Sequence, residues 1–170
     1  VAKKALDVKE VPVGCVIVHK NELVIGQGHN MTNLTKNPTR HAEFEAIDQV
    51  EIYCKQNKLD IIDVLKHSIL YVTVEPFIMC ASALRLMHLS NIVYGCTNDR
   101  FGGCGGVLNL CNDKTANEGA DLNILSGICQ ESAIKLLQLF YACENPFAPE
   151  PKSKENRKKP DLNENDDIIF

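Results

Sequence analysis

Ile69-Leu70-Tyr71-Val72-Thr73-Val74 runs directly into Glu75-Pro76-Phe77-Ile78-Met79-Cys80-Ala81-Ser82-Ala83-Leu84. The first six residues have the apolar, β-branched composition of a strand with no polar face, the mark of a strand covered on both sides. Pro76 cannot donate to a ladder and ends it. The segment from Met79 to Leu89 is rich in helix formers. A buried strand that passes straight into a helix is the β-to-α half of an alternating fold. Cys80 then falls in the first helical turn, where the helix dipole favours a thiolate.

A second helix start lies upstream, at Asn37-Pro38-Thr39-Arg40-His41-Ala42-Glu43. Pro38-Thr39 reads as its start and cap, and Ala46, Ile47, Val50, Tyr53 and Cys54 recur behind it at helical spacing. Side chains in a first turn lean towards the N-terminal end, so His41 and Glu43 can both reach a point above it. A catalytic zinc takes three protein ligands and keeps its fourth position for a water, which it acidifies, while a neighbouring carboxylate carries the proton. His41 and Cys80 have the chemistry of ligands and Glu43 that of the carboxylate. Taken singly, His41-Ala42-Glu43 is an ordinary solvated turn and Cys80 an ordinary small buried side chain; their occurrence together, in order and at two helix starts, is what is specific.

This arrangement resembles the zinc-dependent deaminases, which carry H-x-E followed by P-C-x-x-C. One position departs from it: Phe77 stands where the third ligand, a cysteine, belongs, and phenylalanine cannot bind a metal. Within those deaminases the chain resembles the tRNA adenosine deaminases, and among them the eukaryotic catalytic subunit, from about Glu10 to Pro146. The likeness is carried by Glu10-Val11-Pro12-Val13-Gly14-Cys15, Gly28-His29-Asn30, the stretch from Asn37 to Glu43, the run from Tyr71 to Leu84, Val93-Tyr94-Gly95-Cys96 and Arg100-Phe101-Gly102-Gly103-Cys104-Gly105. The resemblance implies a cytidine deaminase-like fold with a five-stranded mixed sheet. It also implies zinc (Zn2+) as cofactor and hydrolytic conversion of adenosine to inosine at the wobble position, 34, of tRNA anticodons. Glu43 is then the proton shuttle, Asn30 a residue that hydrogen-bonds the flipped base, and the partner of the chain a catalytically silent paralogous subunit. The silent subunit typically lacks the glutamate that is present here. With Phe77 in the ligand position, weak zinc binding and slow or absent turnover are expected. Two other functions fit the same motif: a non-catalytic RNA-binding or scaffolding subunit, and a deaminase of free nucleobases or nucleotides.

The rest of the chain supports an α/β fold read as a three-layer α/β/α sandwich. Val11 to Val18 and Leu23 to Ile25 are strand-like runs joined by the turn Lys20-Asn21-Glu22, and Ile92 to Tyr94 is a further strand. Ala133, Leu136, Leu137, Phe140 and Tyr141 form a helical stripe, read as core. Ala2 to Leu6 reads as the end of a helix, and an N-terminal truncation is expected. With 170 residues, 45% of them apolar, one compact domain is expected over 1–147. No apolar run is long enough to cross a membrane and no signal pattern opens the chain, so an intracellular protein of cytoplasm or nucleus, without a membrane partner, is expected. The eight cysteines lack the compact spacing of a secreted disulfide scaffold, and most of them read as reduced structural thiols. His19, His29, His67 and His88 read as surface or packing residues, Cys104 is not expected to ligate, and Gly102 to Gly106 reads as a flexible turn at the rim of the site. From 148 to 170 the composition changes to a basic cluster (Lys152, Lys154, Arg157, Lys158, Lys159) and an acidic end (Asp161, Glu164, Asp166, Asp167), a disordered tail by composition. The net charge of −4 gives no general attraction to RNA, so tRNA binding calls for this basic cluster, a local basic face or a partner.

Overall fold

The structure, a computed structural model, describes residues 1–113 and 119–143. The tail expected over 148–170 lies outside them. The elements run α1 (Ala2–Asp7), β1 (Gly14–His19), β2 (Leu23–His29), α2 (Thr32–Thr35), α3 (Ala42–Asn57), α4 (Ile61–Lys66), β3 (Ser68–Val74), α5 (Ile78–Leu86), β4 (Asn91–Cys96), β5 (Asn123–Leu125) and α6 (Gln130–Ala142). They build one five-stranded mixed sheet in the order β2-β1-β3-β4-β5. β1 is antiparallel to β2 and β3, and β3, β4 and β5 are parallel.

The first hairpin turns through Lys20-Asn21-Glu22, where Lys20 and Asn21 both take positive φ and Glu22 N–H closes the turn onto His19 O, the paired positive φ of a type I′ turn. β1 begins at Gly14, later than the apolar run suggests, because Pro12 precedes it. β2 extends four residues beyond Ile25, through two glycines whose lack of a side chain serves packing. A Cβ on Gly28 would lie 2.4 Å from the Ala42 carbonyl oxygen and one on Gly26 2.3 Å from that of Ala46, so α3 rests on the β2 backbone itself. Cys15 pairs with Gly28 and therefore shares the α3 face. The adjacent Gly14 faces the other way: a Cβ there would meet Ala2 of α1, and on the same face Gly95 meets Ala133 of α6. Alternation along a strand thus puts α3 on one face and α1 with α6 on the other, which is the three-layer arrangement read from the sequence.

The core runs through both layers, with Ile17, Val50, Leu65, Leu70, Val72, Leu84, Leu89, Ile92 and Leu136 buried. Two readings need correction. Tyr141 is not core: it is 53% exposed at the end of α6, where it lines a cavity, and Phe140, which its ring meets edge-to-face at 5.3 Å, also lies outside the core cluster. The helix bearing Cys80 starts at Ile78 and ends at Leu86, short of Leu89, where His88 takes a positive φ. Every cysteine among the described residues is a free thiol, as read.

Candidate metal centre and active site

The N-terminal ends of α3 and α5 meet beyond the start of β1 and the end of β3, interior strands of the sheet, and each delivers one sequence-predicted ligand. His41 is itself the N-cap of α3, which corrects the reading of Pro38-Thr39 as the cap. Thr39 instead turns back onto Asn37 Oδ1 with both its N–H and its hydroxyl. The free N–H at the start of α3 is satisfied from a distant position: Ala42 donates to Asn30 Oδ1 at 3.0 Å. Arg40, with Nε on Glu45 at 2.7 Å and Nη2 on Asp48 at 2.6 Å, anchors the residue before His41 to the first turns of the same helix. Cys80 is the third residue of α5 and fully buried.

Cys80 Sγ lies 3.5 Å from His41 Nδ1. Two donors on neighbouring corners of a tetrahedral zinc, at ordinary Zn–S and Zn–N lengths, stand about 3.6 Å apart; the pair is therefore already spaced as one edge of a zinc site. A carboxylate oxygen of Glu43 joins them, all three donor atoms lying within 4.8 Å of one another. Among the described residues this is the sole cluster of three such donors. Phe77, the N-cap of α5, contributes a ring in place of a thiolate. It meets the His41 ring edge-to-face at 4.7 Å and stacks on Phe101 at 5.0 Å.

Without a metal, burial opposes charge on all three groups. Burial raises the Glu43 carboxyl to about 7, against smaller opposing hydrogen bonds from its own backbone N–H and from Cys80. Burial, then the proximity of Glu43, pushes the Cys80 thiol well above its usual range, and burial lowers His41. The expected help from the helix dipole is thus outweighed in the metal-free chain: Cys80 is a thiol there, and only a cation would draw out its proton.

Above these groups opens a cavity of about 130 Å³ lined by Val11, Val13, Asn30, Thr32, His41, Glu43, Val74, Glu75, Phe77 and Tyr141. Asn30, read as a base-binding residue, lines it, and its oxygen caps α3. Two lining residues, Glu75 and Tyr141, and the buried Glu10 beside the cavity carry roles that the sequence reading did not assign. Glu75, 1% exposed, accepts N–H groups from Asn98, Cys104 and Gly106 at 2.7–2.9 Å. It thereby folds the glycine-rich segment onto the rim, where Ile78 N–H bonds Phe101 O and Gly103 N–H bonds Pro76 O. That segment is a fastened turn, not the flexible one expected. Glu10, fully buried, behaves similarly on the other side, accepting from Leu34 N–H at 2.8 Å and from the Thr32 hydroxyl at 3.2 Å. An acid inside an apolar strand flank was the signal for both. Tyr141 is the third, concealed by its place in a helical stripe. Cys104 is outside the donor cluster, its free thiol hydrogen-bonded to that of Cys111. His19 Nδ1 bonds Val64 O and Ser68 Oγ, and His67 Nδ1 bonds Asp63 O, both packing roles.

The profile of the cytidine and deoxycytidylate deaminase zinc-binding region matches residues 1–96. The chain is 51% identical over 151 residues to tRNA-specific adenosine deaminase 2 of Xenopus tropicalis, covering 89% of this chain and 88% of that protein. It is 41% identical over 156 residues to a tRNA-specific adenosine deaminase subunit of Schizosaccharomyces pombe, covering 92% of this chain and 38% of that protein. A solved structure from studies of A-to-I editing by tRNA:A34 deaminases superimposes with a TM-score of 0.69 at 27% identity, over 80% of this chain and 92% of that one. With its profile, its relatives and its two-helix donor site in agreement, the chain belongs to the cytidine and deoxycytidylate deaminase family and, within it, to the tRNA-specific adenosine deaminases.

Proposed function

We propose that this chain is the catalytic-type subunit of a wobble deaminase, built to convert adenosine 34 of tRNA to inosine by hydrolysis, with turnover held low by Phe77. The observation that carries the reading is Glu43. It is a carboxyl 3% exposed, poised near neutral pH, within reach of a zinc-spaced His–Cys pair and facing a cavity. A carboxyl with that poise can take a proton from water and return it to a ring nitrogen and a leaving amine at pH 7. His41 and Cys80 would hold zinc, which when bound supplies acidification of water and charge stabilisation. Asn30 orients the base through its amide, its oxygen fixed by Ala42 N–H, and Tyr141 flanks the opening. The anticodon loop offers an unpaired base, so extruding it into a pocket that reads one base costs little.

The chain would act inside the cell, with a paralogous subunit lacking the carboxylate as its partner. Relatives named as a subunit and the net charge of −4 support a second source of RNA affinity. A free-nucleobase deaminase is disfavoured, since relatives 48–51% identical are named for action on tRNA. A scaffolding role draws its support from Phe77, since the fold stays intact around the missing ligand. Zinc per chain and inosine formed at position 34 decide between them, measured for the chain as it stands and for Phe77→Cys, each purified with the partner subunit. Restoration of turnover by the cysteine supports an enzyme disabled at one position; no turnover in either form with tRNA favours the scaffold.

A further inference from the structure

The third corner of the metal site has no cysteine, yet the corner need not stay without a protein donor. Other candidates near it are committed elsewhere. Both Glu75 oxygens are taken by the N–H groups of Asn98, Cys104 and Gly106. The Cys104 thiol is hydrogen-bonded to that of Cys111. The Phe77 and Phe101 rings wall off that side. Glu43 differs from these. Its carboxyl is buried, hydrogen-bonded to the Cys80 thiol itself, and within 4.8 Å of both ligand atoms. Among the described residues none of the ion pairs neutralises it. A buried carboxylate without a cation gains more from a divalent ion than any other group present, and carboxylates are ordinary zinc donors at bond lengths close to those of His.

We propose that in this chain Glu43 is drawn from the proton-shuttle position onto the metal, so that the ion is held by His41 Nδ1, Cys80 Sγ and a Glu43 carboxylate oxygen. The inference rests on the zinc reading of the site given above. It separates occupancy from turnover. The chain with Phe77 retains a metal, but the carboxylate that should move protons is occupied in ligation, and a cysteine at 77 releases it. Phe77 therefore acts by changing the job of Glu43 as well as by removing a ligand.

The test is a double-mutant cycle on zinc affinity, read by competition with a chromophoric chelator, for the chain as it stands, Glu43→Gln, Phe77→Cys and the double variant. Far-UV circular dichroism confirms the fold of each. In the Phe77→Cys background, Glu43→Gln removes only an outer contact and lowers affinity by about 10- to 100-fold at most. In the Phe77 background it removes a ligand, and the loss exceeds about 100-fold. Cobalt(II) substitution gives a second readout, since Glu43→Gln alters the ligand-field spectrum of the Phe77 chain and leaves that of Phe77→Cys unchanged. Equal losses in the two backgrounds, or zinc held by Phe77→Cys but not by the Phe77 chain, overturn the ligand role of Glu43 while leaving the deaminase reading standing. Absence of zinc from all four chains overturns both.

Discussion

At position 77 one ring replaces one sulfur, and the consequences are local. Phe77 makes two aromatic contacts, with His41 and Phe101, each worth about 0.5–1.5 kcal/mol. Phe77→Cys is therefore expected to lower the stability of the metal-free protein by about 1–3 kcal/mol and to regain it when zinc is added; denaturant melts with and without the metal check this. Glu43 carries a pH signature of its own. Its carboxyl is raised from 4.5 to about 7 in the folded chain, so the folded state binds the proton more tightly than the unfolded state does. Below about pH 4.5 both states are protonated and the group has no effect. As pH rises from there to about 7 the metal-free fold loses stability, by about 3 kcal/mol in all. Glu43→Gln should accordingly raise the melting temperature of the metal-free protein at pH 8 and leave it unchanged at pH 4.5. Equal stabilisation at both pH values would show that the carboxyl is not raised. Both residues were legible in the sequence, because a metal motif names its positions by chemistry. What the sequence did not disclose is the protonation state of Cys80, since helix position argues for a thiolate and only the packing shows how far burial opposes it.

At the scale of elements, the strand-to-helix passage from Ile69 to Leu84 was plain in the sequence, because a doubly buried strand and an alanine-rich first turn both show in local composition. β5 was not: three residues, Asn123–Leu125, carry no pattern, and they are a strand because parallel pairing with Asn91–Val93 makes them one. The cap of α3 was missed for the same reason. Its acceptor, Asn30, is twelve residues away in sequence, and nothing near Pro38-Thr39 announces it. That double duty separates two substitutions. Asn30→Asp keeps the oxygen for Ala42 N–H and should leave stability within about 0.5 kcal/mol, yet lose activity through the missing amide donor. Asn30→Ala should lose activity and also about 1–2 kcal/mol, the usual worth of a cap. If Asn30→Asp retained full kcat/KM, the base-binding role would be wrong. Glu75 is the comparable anchor of the rim. Glu75→Ala leaves the N–H groups of Asn98, Cys104 and Gly106 without their acceptor. The expected cost is about 3 kcal/mol or more, at about 1–3 kcal/mol for each such group that stays buried. Hydrogen exchange should rise along 98–108 and stay unchanged in β1 and β3.

The molecule as a whole sets the most demanding condition on RNA binding. It carries 22 acidic residues against 18 lysines and arginines, and a polyanion is repelled by that balance unless positive charge is gathered somewhere. The sequence gathers it at Lys152, Lys154, Arg157, Lys158 and Lys159, five cations within eight residues interrupted only by Glu155 among charged positions. If these residues contact phosphates, each contributes its share of released counterions, and the dependence of log affinity on log salt steepens by about 0.7 per contact for single-stranded RNA and 0.9 for a duplex. Replacing all five with serine should lower tRNA affinity at 50 mM salt and flatten the slope by about 3.5–4.5. Turnover of tRNA already bound should stay unchanged, because lysine and arginine supply neither the His–Cys donors nor the carboxyl that moves protons. Salt titrations of tRNA binding on the two forms, each with its partner subunit, separate the possibilities. An unchanged slope would place the positive charge on the partner, and the five residues would then be no more than a solvated segment.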